Sequence, residues 1–159
     1  MNYIYSKLGP KNNTKIIIVP STNEITHIYP LPQPPMSEKS FSSIKNNNMP
    51  YLSSNPATFT LNDISVGIIN TDIIKDMCIN MCIKTPPVDS DQSAQPNKPK
   101  IEIVLQSILQ QKSFYPLYPG SLATPIEWEQ YHGLMFEKTP DILIAPSDLL
   151  LFAKVSSTN

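Results

Sequence analysis

The chain has 159 residues and a formal net charge of −1, so it lacks the basic excess that direct nucleic-acid binding requires. Its four glycines leave little material for phosphate-binding loops, and no Walker or dinucleotide-binding fingerprint is present. Two cysteines make no disulfide framework, and we find neither a signal peptide nor an apolar run of membrane-spanning length. We therefore expect a soluble, intracellular protein without a metabolic nucleotide site.

Two apolar runs, at residues 15–19 and 141–145, each end in Pro-Ser. Continuous β-branched and aliphatic runs of this length are typical of strands that are buried on both faces. Proline ends each strand because it cannot donate a hydrogen bond to a sheet. Ligands in open α/β sheets are usually held at strand ends, so the residues after these two runs should decide the function.

The residues that follow the first run are predicted to have no regular secondary structure up to about residue 55. The proline-rich segment 29–35 favours an extended polyproline conformation, and the Ser-, Asn- and Lys-rich segment 36–55 predicts a mobile loop. Residues 57–61 and 64–69 flank Asn62-Asp63, a pair that tolerates the left-handed conformation of a tight turn. This pattern predicts a β-hairpin.

Two amphipathic helices follow the hairpin. Asn70 or Thr71 is predicted to cap the first helix, whose apolar face contains Ile73, Ile74, Met77, Cys78, Met81 and Cys82. After a second proline-rich linker at 84–99, the second helix is predicted at 100–111, with its apolar face formed by Ile101, Val104, Leu105, Ile108 and Leu109. We further predict a short helix at 126–131 and a third apolar stretch at 149–155.

Several side chains allow a functional and a structural interpretation. Phe114, Tyr115 and Tyr118 could stack on bases or form a partner surface, but packing of their loop on the sheet is favoured because no basic groove accompanies them. His27 and His132 are interpreted as loop histidines because no ligand cluster surrounds them. Cys78 and Cys82 lie on an apolar helix face, which favours core packing over a metal or redox pair.

The order of several motifs resembles the non-catalytic B-subunit family of the replicative DNA polymerases alpha and epsilon. The resemblance rests on Ile-Val-Pro-Ser at 18–21 with the proline-rich 29–35, the hairpin region 60–72, the block Ile-Leu-Gln-Gln-Lys-Ser-Phe-Tyr-Pro-Leu-Tyr-Pro at 108–119, and Thr-Pro-Asp-Ile-Leu-Ile-Ala-Pro-Ser-Asp-Leu at 139–149. The Tyr-Pro-Leu-Tyr-Pro block is specific to the alpha version.

This resemblance implies an α/β (α+β) fold, the C-terminal half of a calcineurin-like phosphoesterase β-sandwich flanked by helices. It implies a partial domain at 15–155, a polar lead-in at 1–14 and a tail at 156–159, with mobile loops at 36–55 and 84–99. The strands are too few to close a covered sheet, which is consistent with an incomplete domain or truncated gene model.

The resemblance also implies a role. The chain would be a nuclear scaffold subunit that supports initiation of DNA replication by binding the C-terminal cysteine-rich domain of the polymerase alpha catalytic subunit. It would tether primase through that complex and meet DNA indirectly, with no membrane and no cofactor. A delta- or epsilon-type polymerase complex is an alternative that the Tyr-Pro-Leu-Tyr-Pro block disfavours.

The catalytic metal motifs of the wider superfamily have lost their ligands at the matching positions. The Gly-Asn-His-Asp/Glu motif corresponds to Ser21, Thr22, Asn23 and Glu24, a histidine of nuclease relatives to Ser113, and the terminal Gly-His-x-His to the segment containing Ser147. Hydroxyl groups and one carboxylate are poor ligands for a dinuclear site. We expect no catalytic residues, no bound metal and no enzyme activity. A phosphoesterase or nuclease with altered ligands is the rival, and Glu24 and Asp148 are its only support.

Overall fold

The computed structural model describes residues 7, 14–41, 49–80, 100–149 and 152–155. These residues form five strands, two α-helices and two 3-10 helices. The strands are β1 (Ile17–Ile18), β2 (Tyr51–Leu52), β3 (Ala57–Leu61), β4 (Ile64–Ile68) and β5 (Ile142–Ile144); the helices are α1 (Ile73–Asn80) and α2 (Lys100–Gln110), with 3-10 turns at Glu38–Phe41 and Trp128–Leu134. The mixture of helices and small sheets confirms the predicted α+β class.

The strands are divided between two small sheets. β1 pairs with β2 in parallel, while β4 lies between β3, which is antiparallel to it, and β5, which is parallel. The two apolar runs that end in Pro-Ser therefore belong to different sheets. None of the described helices is long and apolar enough to span a membrane.

The predicted hairpin is confirmed. β3 and β4 pair from Leu61↔Ile64 at the turn to Ala57↔Ile68. Asn62 and Asp63 form the turn with positive φ angles of 47° and 67°. Two consecutive left-handed residues are what a two-residue hairpin loop requires, and Asn and Asp accept that conformation.

Both predicted helices are confirmed within one or two residues, but the cap of α1 differs. Asp72 caps α1, because its Oδ1 atom accepts a 3.0 Å hydrogen bond from the backbone N–H of Lys75; Asn70 and Thr71 do not serve as the cap. On the apolar face of α1, Ile73, Ile74 and Met77 are buried. Met81 and Cys82 lie outside the described residues. α2 contacts α1 and buries Val104 and Ile108.

The prediction that both apolar runs are buried on two faces is wrong. β1 is only half-buried and spans two residues of the predicted five. In β5, Ile142 and Ile144 are each 47% exposed, while Leu143 packs against the core. The physical reason is that β5 is an edge strand with the helical core on one face only, so its other face stays accessible.

Predictions for one loop and one short helix also need correction. Residues 51–52 form β2 and residues 38–41 form a 3-10 turn, although the sequence predicts an irregular segment at 36–55. The short helix predicted at 126–131 lies at Trp128–Leu134 and is 3-10. In the third apolar stretch, the described residues Leu149 and 152–155 are exposed and form no regular element. The linker 84–99 and the tail lie outside the described residues.

The main core lies between the two helices, the sheet and the segment after α2. Its buried members are Leu31, Ile69, Ile73, Ile74, Met77, Val104, Ile108, Phe114, Tyr115, Leu134 and Phe136. Phe114 lies against β4 at Gly67, where a Cβ atom would be 3.1 Å from the aromatic ring. Gly67 therefore permits the close approach of the aromatic loop to the sheet, and the predicted packing on the sheet is confirmed for Phe114. Tyr115 is buried in the same core, whereas Tyr118 is exposed.

A polar clip fixes the register of the parallel pair β4–β5. The Oδ2 atom of Asp141 accepts hydrogen bonds from the backbone N–H of Ser65 at 2.8 Å and from its hydroxyl at 2.7 Å. The backbone N–H of Asp141 donates to the same hydroxyl oxygen at 3.0 Å. The hydrogen bonds from Ser65 lower the pKa of the Asp141 carboxyl, because they favour its charged form.

We predict that Ser65→Ala raises the pKa of Asp141 towards its ordinary value. A carboxyl whose pKa is lower in the folded state contributes stability above its unfolded pKa and loses it as the pH falls through the folded pKa, so the variant should be less sensitive to acid in that range. Carbon-detected NMR titration of the Asp141 carboxyl measures the shift. Ser40→Ala, at an exposed position, is the control, and an unchanged Asp141 titration in Ser65→Ala would refute the clip.

Candidate functional site

The carboxyl ends of three strands meet at one edge of the molecule. The backbone N–H of Ile69, after β4, donates to the carbonyl of Ile144 in β5 at 3.1 Å. The side-chain amide of Asn70 donates to the carbonyl of Val19, after β1, at 3.1 Å. Asn70 thus joins the two sheets, and the residues that follow β1, β4 and β5 are close together. Ligands of open α/β sheets are usually held at an edge formed by the carboxyl ends of strands.

A buried amide cluster fixes this edge. Asn55 is fully buried, and its Oδ1 atom accepts a 2.8 Å hydrogen bond from the backbone N–H of Asn70. Its Nδ2 atom donates to Gln33 Oε1 at 2.9 Å and to the carbonyl of Asn70 at 3.3 Å. Gln33, itself buried, donates to the carbonyls of Ser21 and Tyr29 at 3.2 and 2.9 Å. Side chains therefore satisfy the backbone groups at the strand ends.

The first predicted metal-motif position, residues 21–24, lies in a hydrogen-bonded turn. The backbone N–H of Glu24 donates to the carbonyl of Ser21 at 3.1 Å, and that of Asn23 donates to the Ser21 hydroxyl at 3.3 Å. Glu24 accepts a hydrogen bond from the Thr26 hydroxyl at 3.2 Å. Thr22 completes the turn. The hydrogen bonds of Ser21 and Glu24 are thus made within this loop and to Gln33.

The last metal-motif position, after β5, is tied to the start of α1. The backbone N–H of Asp148 donates to Asp72 Oδ2 at 2.8 Å, and the neighbouring Ser147 side chain also lowers the pKa of this carboxyl. Partial burial raises the pKa of Asp72, but these hydrogen bonds and that from Lys75 outweigh burial, so the pKa lies below its ordinary value. The Asp148 carboxyl forms a 2.8 Å ion pair with Lys75, which raises the pKa of that amine.

Ser113, the remaining position, is apart from the strand-end edge. It is fully buried at the end of α2, where its hydroxyl oxygen accepts hydrogen bonds from the backbone N–H of Tyr115 at 3.2 Å and from the Tyr131 hydroxyl at 3.3 Å. The structure therefore brings the Ser21 and Ser147 loops to one edge through Asn70 and α1, while Ser113 bonds to the aromatic loop instead.

The residue types that could hold a metal are dispersed. Within the described part of the chain, no group of three or more His, Cys, Asp or Glu side chains lies close enough to bind one. The Nε2 atom of His27 lies 2.8 Å from the carbonyl oxygen of Pro34, as the interpretation of a backbone-bonded loop histidine requires. His132 is exposed, and Cys78 is a free cysteine packed against the core.

A second buried polar group was not predicted from the sequence. Asp76, on the buried face of α1, accepts hydrogen bonds at 2.8 Å from the hydroxyls of Tyr115 and Thr124. The Tyr115 oxygen also accepts a 3.1 Å hydrogen bond from the backbone N–H of Ser121. Asp76 therefore attaches the loop at 113–124 to α1. Its position between Ile73 and Met77 on the apolar stripe is the signal that could have revealed it.

We predict that Tyr115 ionises last among the seven tyrosines of the chain. Burial, with the Asp76 carboxylate beside it, raises the pKa of Tyr115 to about 12. A raised pKa stabilises the fold fully below the unfolded value of about 10, and this contribution is lost as the pH rises towards the folded value. Stopped-flow tyrosinate absorbance should lose its latest transition in Tyr115→Phe and keep it in Tyr51→Phe. A latest transition that persists in Tyr115→Phe would refute the assignment.

The sheet face opposite the helical core is wholly apolar. The register places on it Ala57, Phe59, Leu61, Ile64, Val66, Ile68, Ile142 and Ile144, a set that we call the outer sheet face. Leu61 is 55% exposed and Ile64 47%. Ala57 and Val66 are buried without belonging to the main core cluster. Contiguous apolar surface of this kind is typical of a face that packs against another layer.

Comparison with known proteins decides the family. The profile that describes the B subunit of DNA polymerases alpha and epsilon matches residues 2–154. The chain belongs to this family. It is 30% identical over 145 residues to the B subunit of DNA polymerase alpha from Bos taurus, and 30% identical over 151 residues to that from Dictyostelium discoideum. The corresponding protein of Saccharomyces cerevisiae is 27% identical over 172 residues. The resemblance inferred from the ordered motifs is confirmed.

The matches cover the chain more fully than the relatives. They span 91% of this chain and 22% of the Bos taurus protein, and 92% of this chain and 21% of the Dictyostelium protein. The chain therefore spans about a fifth of the length of these curated relatives.

Proposed function

We propose that this chain is a non-catalytic scaffold part of the DNA polymerase alpha–primase complex, acting in the nucleus during initiation of replication. The observation that carries the proposal is the match to the B-subunit family over residues 2–154, joined with curated relatives that are each named as the B subunit of DNA polymerase alpha. The partner in this proposal is the cysteine-rich C-terminal domain of the catalytic subunit, with primase tethered through the complex.

The strand-end hydrogen bonds support a structural role for the predicted metal-motif positions. The Ser21 hydroxyl accepts a hydrogen bond within its own turn, Ser113 accepts one from Tyr131, and Ser147 lowers the pKa of the carboxyl that caps α1. Each of these hydroxyl groups thus contributes to the fold itself. We infer that Ser21, Thr22, Asn23, Glu24, Ser113 and Ser147 are vestigial positions of a metallophosphoesterase site.

The outer sheet face supports assembly. Ile142 and Ile144 on the edge strand, with Leu61 and Ile64 at the hairpin tip, expose about half of their area to solvent. Burying apolar area contributes roughly 25 cal/mol per Å², so such a face gains free energy when another layer covers it.

Binding between purified components tests the partner. The tagged protein should form a stoichiometric complex with the C-terminal cysteine-rich domain of the polymerase alpha catalytic subunit in size-exclusion chromatography with light scattering. The matching domain of a polymerase delta or epsilon catalytic subunit is the control and should bind more weakly. Equal or exclusive binding to the delta or epsilon domain would place this scaffold in another complex.

The rival is a metal-dependent phosphoesterase that uses Glu24 and Asp148. We expect no Mn²⁺-dependent hydrolysis of bis-p-nitrophenyl phosphate above background, because Asp148 is paired with Lys75 and Glu24 lies in an exposed turn. Hydrolysis that requires Mn²⁺ and disappears in Glu24→Ala, but not in the control Glu38→Ala, would establish the enzyme and refute the scaffold-only role.

A further inference from the structure

Three aromatic rings form a continuous ladder on the surface after α2. Tyr118 meets Trp128 edge-to-face with ring centroids 5.0 Å apart, and Trp128 stacks on Tyr131 at 5.9 Å with an interplanar angle of 27°. We call these three residues the aromatic ladder. Tyr118 is 82% exposed and Trp128 38%, although large aromatic rings usually bury most of their area. Tyr131 packs against the core, so the ring surface left outside the core belongs to Tyr118 and to part of Trp128.

Hydrogen bonds to buried residues hold the aromatic ladder in place. The Tyr131 hydroxyl is anchored by the buried Ser113 oxygen. The strand-like segment before Trp128 pairs with the fully buried Leu31, whose N–H donates to Pro125 O at 2.9 Å and whose carbonyl accepts from Glu127 N at 2.7 Å. A surface that is already ordered loses little conformational entropy when a partner binds.

The turn that carries Tyr118 is also fixed close to Trp128. A Cβ atom at Gly120 would lie 2.7 Å from Ile126 Cδ1 and 3.5 Å from the Trp128 ring. Only glycine at position 120 therefore lets the turn approach Trp128 this closely without displacing the Ile126 side chain. The edge-to-face contact between Tyr118 and Trp128 depends on that approach.

The charge of residues 118–131 indicates which kind of partner the aromatic ladder can bind. Residues 118–131 contain Glu127 and Glu129 and no lysine or arginine. Two carboxylates that flank Trp128 in the sequence repel phosphate and attract cations, and guanidinium groups stack well on Trp and Tyr. We propose that the aromatic ladder binds an extended, arginine-rich segment of a partner protein. Arginines at alternate positions of an extended chain are about 6.6 Å apart, close to the spacing of the rings.

A defined peptide tests this proposal without reference to the polymerase subunits. The probe is a fluorescein-labelled ten-residue peptide in which arginine alternates with proline, titrated with the full 159-residue chain in fluorescence anisotropy. We expect saturable binding that weakens with salt, and a lower affinity for the same peptide with lysine in place of arginine. Tyr118→Ala and Trp128→Ala should each reduce affinity at least about fivefold.

The controls separate the ladder from general surface effects. Tyr51→Ala removes an exposed tyrosine elsewhere and should keep the affinity. Glu129→Lys, next to Trp128, should lower the affinity, whereas the same charge change at the exposed Glu38 should not. Tyr118→Ala keeps the result interpretable if Trp128→Ala fails to fold. Absent or non-saturable binding, unchanged affinity in Tyr118→Ala, or tighter binding of oligothymidylate than of the peptide would each overturn the proposal.

Discussion

Phe114→Ala is expected to lower the free energy of unfolding by about 3–5 kcal/mol, as is typical for the truncation of a buried aromatic side chain. Phe114 is 1% exposed, lies against Gly67 of the sheet, and meets Phe136 edge-to-face at a centroid distance of 5.1 Å. Its removal leaves a cavity between β4 and the segment after α2. Urea denaturation followed by circular dichroism measures the loss.

Tyr118→Ala, in the same proline-rich motif, is the matched control and should cost less than about 1 kcal/mol because its ring is 82% exposed. The two variants distinguish Phe114, which packs in the core, from Tyr118, which faces solvent. Equal destabilisation by the two variants, or a Phe114→Ala protein as stable as the parent, would contradict the packing of this loop on the sheet.

Asn55→Ala is expected to cost about 2–4 kcal/mol, although it removes only a small polar side chain. The truncation leaves Gln33 Oε1 and the backbone N–H of Asn70 buried without their partners at 2.9 and 2.8 Å. Because Asn70 also holds the carbonyl of Val19, the loss should loosen the junction between the two sheets. Chemical denaturation measures the stability, and amide hydrogen exchange at Asn70 measures the local opening.

Asn55→Asp is the isosteric test of the same junction. It keeps the acceptor for Asn70 but replaces the donor to Gln33 Oε1 with an oxygen, so it should destabilise the fold at neutral pH despite its equal volume. Asn23→Ala, in an exposed turn, should change stability by less than about 0.5 kcal/mol. If Asn55→Ala behaved like Asn23→Ala, the amide cluster would not be what fixes the strand ends.

The sequence predicted the local elements well, because local chemistry determines them. The Asn62-Asp63 pair determines a hairpin turn on its own, and the apolar spacing of 100–111 determines an amphipathic helix. Ordered motifs were enough to identify the family. Each of these inferences uses residues that are neighbours in the chain.

The errors concern properties that depend on what packs from a distance. The run at 141–145 has the composition of a doubly buried strand, yet β5 is an edge strand, and no local pattern records which strand will pair with it. Residues 51–52 became β2 because β1 pairs with them, not because of their own propensity. Asn55, in a polar stretch, shows its role only through contacts with Gln33 and Asn70.

The surroundings of the predicted metal-motif positions also depend on residues that are distant in the chain. The turn at 21–24 and the loop with Ser147 lie at one edge because Asn70 joins the two sheets, although β1 and β5 belong to different sheets. The groups that bond to these two loops, the Gln33 amide and the Asp72 carboxyl, could not be predicted from the motifs. Ser113 supports the aromatic loop through Tyr131, a contact across eighteen positions of the chain.

Affinity purification of the tagged protein, expressed from its own locus, tests the scaffold role most directly. We expect quantitative mass spectrometry to recover the polymerase alpha catalytic subunit and both primase subunits at near-equal molar amounts, in excess over the delta and epsilon catalytic subunits. Reproducible recovery of the protein without the polymerase alpha catalytic subunit would contradict the scaffold role.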